Sequence, residues 1–347
     1  MGNCNNLMKV CIRCSTFNQS RYIEDAMNGF VMQKTDFPFI AAIVDDASTD
    51  GEPQVLRDYY YRFFNHNDSK VAYEIMTEYG TILFAQHLVN KNCYFAIVLL
   101  KENHYSQKKS KLPYFSRWSD SVEYIALCEG DDYWTDASKL QKQVAFLDDH
   151  EEYSLCCHRY KIYNQDFCTW DDDYVKALFD SKPEGFSFSR ADNLKTWITK
   201  TMTVVYRRDR LDQNALLKYR FACDEHQNYL LLSNGDGYCF PFVGAVYRRT
   251  GTGVYAHLSE LQKMKRGVLI RSELLNHNRE DKELRDDVCS RIRKYLFEYH
   301  SFSGIVPSVK ICLMAFFGAE GLKASLRFSR KVVGAWVNGL RNKWFDE

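Results

Sequence analysis

The chain has almost no net charge: 46 Lys and Arg stand against 45 Asp and Glu, leaving +1 over 347 residues. No global field therefore points to nucleic acid as a partner. Long hydrophobic runs are missing as well. None reaches the roughly 18 apolar residues of a membrane span, and the longest candidate, ICLMAFFG from Ile311, falls far short. The opening MGNCNNLMKVCIRC lacks a charged segment followed by an apolar stretch, so secretion is not expected. Asn6 stands where a myristoylation signal after Gly2 needs Ser or Thr. A second metal-type cysteine pair is absent too. Cys11 and Cys14 form a lone C-x-x-C, and Cys156, Cys157 and His158 lie together without a partner pair at zinc spacing. The 12 cysteines are expected to be reduced, mostly buried thiols of a cytoplasmic protein.

What is present suits a large, well-packed α/β domain with an appendage: 46% apolar and 15% aromatic residues. KVCIRCST, residues 9 to 16, reads as a first strand. Asn18 or Ser20 can cap a following helix whose apolar residues Tyr22, Ile23, Ala26, Met27, Phe30 and Val31 share one face. Phe39 to Val44 is continuously apolar, as a parallel strand covered on both sides should be, and it ends abruptly at Asp45 and Asp46. A helix with Val55, Leu56, Tyr59 and Tyr60 follows. CYFAIVLL, residues 93 to 100, is another strand, and KENHYSQKKSKLPYFSRW after it is basic and loop-like. The next strand, Tyr124 to Cys128, runs into Glu129-Gly130-Asp131-Asp132-Tyr133-Trp134, and a helix through Leu140, Val144 and Leu147 comes after. Alternating strands and helices predict a mostly parallel sheet, whose ligands bind beyond the carboxyl ends of the strands. Both acidic clusters occupy that place. A third acidic run, Asp171-Asp172-Asp173, precedes a helical pattern and reads as a solvated helix start.

Crowded carboxylates beside a core repel one another and lose hydration. A divalent cation between them and an anionic ligand removes that cost. Mg²⁺ or Mn²⁺ prefers one or two carboxylates together with phosphate oxygens. Held by Asp131 and Asp132, such an ion would grip a diphosphate and neutralise charge as it leaves. The alternative is a helix start, with Thr135 or Asp136 as cap and the earlier acids favouring the dipole. Asp45 and Asp46 could begin an Asx-type turn, Asp224 and Glu225 an exposed helix. Tyr133 and Trp134 fit either acceptor stacking or core packing.

In order along the chain, Cys14-Ser15-Thr16-Phe17-Asn18, Val44-Asp45-Asp46-Ala47-Ser48-Thr49-Asp50, the segment from Glu129 to Trp134, Cys223-Asp224-Glu225 and Val246-Tyr247-Arg248-Arg249 resemble the motifs of family 2 glycosyltransferases. The resemblance spans about residues 8 to 250. It implies a GT-A fold, that is, a Rossmann-like mixed, mostly parallel sheet with flanking helices. The domain would cover 1–250, with a donor half at about 8–136 and an acceptor half at about 137–250, and a helical region at 251–347. Carried over by position, Ser15, Thr16, Asp45 and Asp46 would contact the nucleotide, with Asp46 accepting from the base's ring N–H and uridine favoured. Asp131 would approach the sugar and ribose, Asp132 the metal, and Asp224 would deprotonate the acceptor hydroxyl in an inverting transfer. Glu129, one methylene longer than the usual Asp, and His257 are the further ligand candidates. Lys108, Lys109 and Arg117 are the candidates for the basic residue expected before the fourth strand.

The reaction so implied takes a nucleoside-diphosphate sugar and a glycan or lipid-linked glycan acceptor, with Mn²⁺ or Mg²⁺, in surface polysaccharide or glycolipid synthesis. Two other readings stand beside it. A sugar-phosphate nucleotidyltransferase would favour a glycine-rich basic loop after the first strand, where STFNQSRY supplies none. A lapsed sugar- or nucleotide-binding protein would not need Asp46, Asp131, Asp132 and Asp224 together. Near the chain's end Leu322, Leu326, Val333, Val337, Leu340 and Trp344 repeat at helical spacing, bordered by Lys323, Arg327, Arg330, Lys331 and Arg341. This pattern suits a peripheral helix on an anionic membrane face or docking on the protein's own core or another subunit.

Overall fold

The structure, a computed structural model, describes residues 8–66, 72–220, 222–251 and 258–299. Packing separates it into two compact units: residues 8–213 with 227–250, and 214–226 with the helices that follow residue 250. The stretch 214–226, part of the expected acceptor half, thus packs with the second unit.

In chain order the elements are β1 (Val10–Thr16), α1 (Ile23–Val31), β2 (Phe39–Asp45), α2 (Glu52–Phe63), β3 (Ala72–Met76), β4 (Gly80–Gln86), β5 (Cys93–Leu100), α3 (Leu112–Ser119), β6 (Tyr124–Leu127) and β7 (Tyr133–Trp134). There follow α4 (Lys139–Asp149), β8 (Tyr153–Asn164), β9 (Thr169–Asp172), β10 (Phe186–Phe188), α5 (Arg190–Lys195), β11 (Val205–Arg207), α6 (Gln213–Leu216), α7 (Asp224–Leu231), β12 (Asp236–Arg249), α8 (Glu260–His277) and α9 (Lys282–Tyr299). The strands form one mixed sheet in the order β10-β12-β8-β11-β6-β1-β2-β5-β4-β3, with β7 beside β12 and β9 beside β8. Its centre, β6-β1-β2-β5, is parallel throughout. All seven residues of β2 are buried, which explains its unbroken apolar run. Ile23, Ala26, Met27 and Phe30 are the buried face of α1, as the 3.6-residue period requires.

Three local expectations change, and an open alternative is decided. No side-chain cap begins α1: Asn18 Oδ1 instead accepts from Thr49 N–H at 2.7 Å, and Ser20 N–H donates to Asp50 Oδ2 at 2.9 Å. Within the basic segment after β5, Leu112–Ser119 is helical, with Pro113 in its first turn, where a missing N–H costs nothing. The acidic run at 171–173 is no helix start. Asp171 and Asp172 close β9, and buried Asp173 pairs with Arg159 at 3.0 Å. Trp134 belongs to the core: it lies edge-on to Phe30 at 5.0 Å and its Nε1 donates to the Met202 carbonyl at 2.9 Å. The ten described cysteines are all free thiols, and burial pushes Cys11 up to about 12.

In the second unit, Ser259 and Gln262 form a reciprocal capping box that opens α8. Leu274 and Leu275 of α8 and Leu284, Val288, Cys289 and Ile292 of α9 are buried. Arg271 binds Glu225 at 2.9 Å and Asp287 at 2.6 Å. No helix among the described residues is long and apolar enough to cross a membrane.

Candidate active site

Three neighbouring parallel strands, β6, β1 and β2, deliver their carboxyl ends to one edge of the sheet. The turn after β6 carries Glu129, Asp131 and Asp132. One carboxylate oxygen from each lies within 4.8 Å of the others, and this is the one such group of potential metal ligands among the described residues. Glu129 is exposed, Asp131 half-buried and Asp132 buried. Gly130 lets the turn approach β1: a Cβ there would sit 2.4 Å from Thr16 Oγ1 and 2.5 Å from Gln19 Oε1. Its N–H donates to the Ser15 carbonyl at 3.2 Å. Any side chain at 130 would force either the acidic turn or the Thr16 and Gln19 side chains to shift.

Asp132 Oδ1 accepts from the Arg248 N–H of β12 at 2.8 Å. Burial, with Asp131 and Glu129 alongside, pushes the Asp132 carboxyl well above the usual carboxylate range; the Arg248 N–H and the Lys200 ammonium oppose the rise. Asp131 is raised by burial, against the pull of Arg248 and Lys200. Hard oxygen donors crowded until they resist ionisation are what a divalent cation relieves. The donor set therefore fits Mn²⁺ or Mg²⁺, with Glu129 in the group. His257 lies outside the described residues.

A residue that sequence reasoning missed organises the neighbourhood. Glu52, fully buried at the start of α2, accepts from Gln19 N–H at 2.8 Å and Ser48 Oγ at 2.9 Å, and its other oxygen is bonded by Thr16 Oγ1. One carboxylate thus ties the turn after β1 to the turn after β2. The sequence signal was slight: a Glu just after Asp50-Gly51, in a helix's first turn. It also changes the reading of Thr16, whose hydroxyl is committed to Glu52 and whose exposure is 2%. Ser15 stays half-buried beside it.

Asp45 and Asp46 are both fully buried. Asp45 accepts weakly from Ser48 N–H, at 3.4 Å to each oxygen, as an Asx turn would have it, and burial raises its carboxyl to about 7. Sequence reasoning assigns Asp46 to the nucleotide base, but both its oxygens are engaged. Oδ1 accepts from His104 N–H at 2.7 Å and Oδ2 from Tyr105 N–H at 3.0 Å, with Lys111 Nζ 3.6 Å away. Its visible task is to pin the loop after β5. Asp46→Ala should leave the buried His104 N–H unmet, costing about 1–3 kcal/mol, together with the part-buried Tyr105 N–H. A lower urea midpoint and faster proteolysis between residues 101 and 111 would check this; an unchanged midpoint would refute the anchor.

Two of the basic candidates have visible partners. Lys109 faces Glu102 at 3.7 Å, and the Arg117 guanidinium sits over Trp118 at 5.6 Å. Asp224, in the second unit, is half-buried at the start of α7 and accepts from the Glu225 N–H at 3.0 Å. Glu225 itself is bound by Arg271.

No protein-family model matches the chain. It is similar to uncharacterized proteins of Mycobacterium bovis and of two strains of Mycobacterium tuberculosis, each 29% identical over 248 residues, 69% of this chain. The chain spans 58% of the length of these relatives. Among solved structures, S. aureus TarS (1–349) with UDP matches at a TM-score of 0.57 and 15% identity, covering 98% of this chain and 92% of that one. TarS with UDP-GlcNAc gives 0.55 and 18%, over 89% and 79%. The mannosyltransferase PcManGT of Pyrobaculum calidifontis, in complex with GDP-Man and Mn²⁺, gives 0.50 and 14%, over 94% and 80%. The likeness establishes the fold. The chain shares the mixed α/β architecture of these structures, with its acidic turn at the carboxyl end of a central strand.

Proposed function

We propose that the chain is an inverting, metal-dependent glycosyltransferase of the family 2 type, acting on a nucleoside-diphosphate sugar and a hydroxyl of a glycan or lipid-linked glycan. The observation that carries the reading is the Glu129, Asp131 and Asp132 group at the end of β6. It stands in a fold whose other examples were solved with UDP-GlcNAc, or with GDP-Man and Mn²⁺. Asp132 and Asp131 would hold the cation, with Glu129 beside them, and the bound ion supplies charge neutralisation for a departing diphosphate. Asp131 also faces the sugar in this reading, and Ser15 lines the nucleotide. Asp46 fixes the loop after β5 and, since each of its oxygens accepts only one N–H there, also accepts from the base's ring N–H in this reading, with uridine the favoured base.

Asp224 takes the acceptor's proton while the acceptor oxygen bonds to the anomeric carbon and the bond to the diphosphate breaks. Glu225 is the poorer base because Arg271 already holds it. A screen of UDP-, GDP- and dTDP-sugars for Mn²⁺- or Mg²⁺-dependent hydrolysis and thermal stabilisation tests the reading; no response from any donor would refute it.

We place the reaction at the cytoplasmic membrane face, on the strength of the amphipathic basic pattern at 322–347, which lies outside the described residues. Removing those residues should release the protein from anionic vesicles and spare donor hydrolysis. Flotation beside a melting curve checks this, and loss of folding on truncation would support docking on protein instead.

A further inference from the structure

We infer that Lys200 is the diphosphate-binding residue of the donor site, an inference that rests on the glycosyltransferase reading above. Its position is built from both sides. Immediately before it, Thr199 N–H donates to Asn193 Oδ1 at 3.2 Å and Thr199 Oγ1 accepts from Asn228 Nδ2 at 2.8 Å. Immediately after it, the 3₁₀ turn Thr201–Thr203 folds back, so that the Lys200 carbonyl accepts from Thr203 N–H at 2.8 Å and Thr203 Oγ1 at 2.7 Å. That turn is wedged between elements of the site. Trp134 Nε1 and Gln143 Nε2 each donate to one of its carbonyls at 2.9 Å, and the Val204 carbonyl accepts from Leu127 N–H, at the end of β6, at 3.2 Å. The Lys200 backbone is therefore held where the acidic turn begins.

The side chain is half-buried and its ammonium lies 3.7 Å above the centre of the Tyr247 ring. The next residue along β12 is Arg248, whose N–H binds Asp132. A cation stacked on an aromatic face keeps part of its attraction when water is excluded. The ring under the ammonium and the N–H bound by Asp132 belong to adjacent residues near the end of β12, so that strand end joins Lys200 to the carboxylate group. A divalent cation in that group would repel the ammonium. The two are held together favourably by a ligand with several negative oxygens that bridges them, and a diphosphate is such a ligand. Lys108, Lys109 and Arg117 come before the acidic turn in sequence, where a motif search looks; Lys200 follows it by some 70 residues and arrives through the tertiary fold.

The test is calorimetry on the full chain with two probes, Mn²⁺ alone and UDP at saturating Mn²⁺. Lys200→Gln should weaken UDP about tenfold or more, the equivalent of one charge-assisted hydrogen bond, while Mn²⁺ alone binds as well as before or better. Lys200→Arg should keep UDP affinity within a few-fold. If the Gln variant does not fold, Lys200→Met, which keeps the stem over Tyr247, takes its place with the same expectation. Wild-type UDP affinity in the charge-free variant would overturn the inference and leave the glycosyltransferase reading standing. Parallel loss of Mn²⁺ and UDP binding with a lowered melting point would reduce Lys200 to a structural role and overturn it too. If the wild-type protein binds neither UDP nor GDP with Mn²⁺, the underlying reading falls, and this inference with it.

Discussion

Asp132→Asn is expected to abolish the Mn²⁺ or Mg²⁺ dependence of nucleoside diphosphate binding. Asn keeps the size and shape of the side chain, so the fold should survive. Asp132 Oδ1 accepts the Arg248 N–H at 2.8 Å, and an amide oxygen can take over that bond. What the amide cannot supply is the anionic oxygen that a hard cation requires. Asn at 132 also removes a carboxyl that burial, with Asp131 and Glu129 alongside, holds well above the usual carboxylate range. The variant should therefore melt no lower than the wild type while losing the metal-linked part of its affinity. Calorimetric titration of UDP with and without Mn²⁺, beside a melting curve, reads both. Metal-dependent binding at wild-type strength would remove Asp132 from the site.

Transfer in the Asp224→Asn variant should fall by about 10²–10⁴-fold, the usual contribution of a general base. An acceptor hydroxyl is barely nucleophilic at neutral pH, so an ionised carboxylate must take its proton as the new bond forms. Within α7 the choice lies between adjacent acids, and their surroundings separate them. Arg271 binds Glu225 at 2.9 Å and Asp287 at 2.6 Å, which makes Glu225 part of an ion-pair network in the second unit. Asp224, half-buried at the helix start, accepts a single backbone N–H from Glu225 at 3.0 Å. Glu225→Gln should consequently act on stability, since it removes one of the two carboxylates that pair with the buried Arg271 guanidinium. Donor and metal binding should persist in Asp224→Asn. Rapid transfer by that variant, with Glu225→Gln inactive yet folded, would move the base to Glu225.

How much was legible in the sequence depends on the range of the interactions involved. Strands β1, β2, β5 and β6 were visible because continuous apolar runs with abrupt polar ends have few other uses, and the parallel centre followed from their alternation with helices. The acidic turn after β6 was visible for the same reason: carboxylates at the end of an apolar strand are costly without a ligand. Local chemistry that competes with distant partners was not legible. Asn18 and Ser20 suit helix capping, yet the turn after β2 claims both through Thr49 and Asp50. Asp171 and Asp172 look like a solvated helix start, but pairing with β8 turns them into the end of a strand.

Residue types in matching order were enough to place three carboxylates at one strand end, because a strand delivers its last residues to the sheet's edge whatever the rest of the chain does. The division of labour around them was decided only in three dimensions. Asp46 and Thr16 carry the motif, but burial and specific donors engage one with the loop after β5 and the other with Glu52. Glu52 and Lys200 carry no motif, and the motif that holds Arg248 does not show its N–H meeting Asp132. Arg248 and Lys200 reach the site because β12 runs parallel to β8 and because the turn at 201–203 is wedged against β6 and Trp134. Contacts between residues some 70 to 120 positions apart leave no periodicity to read; they exist only once the sheet has closed its middle.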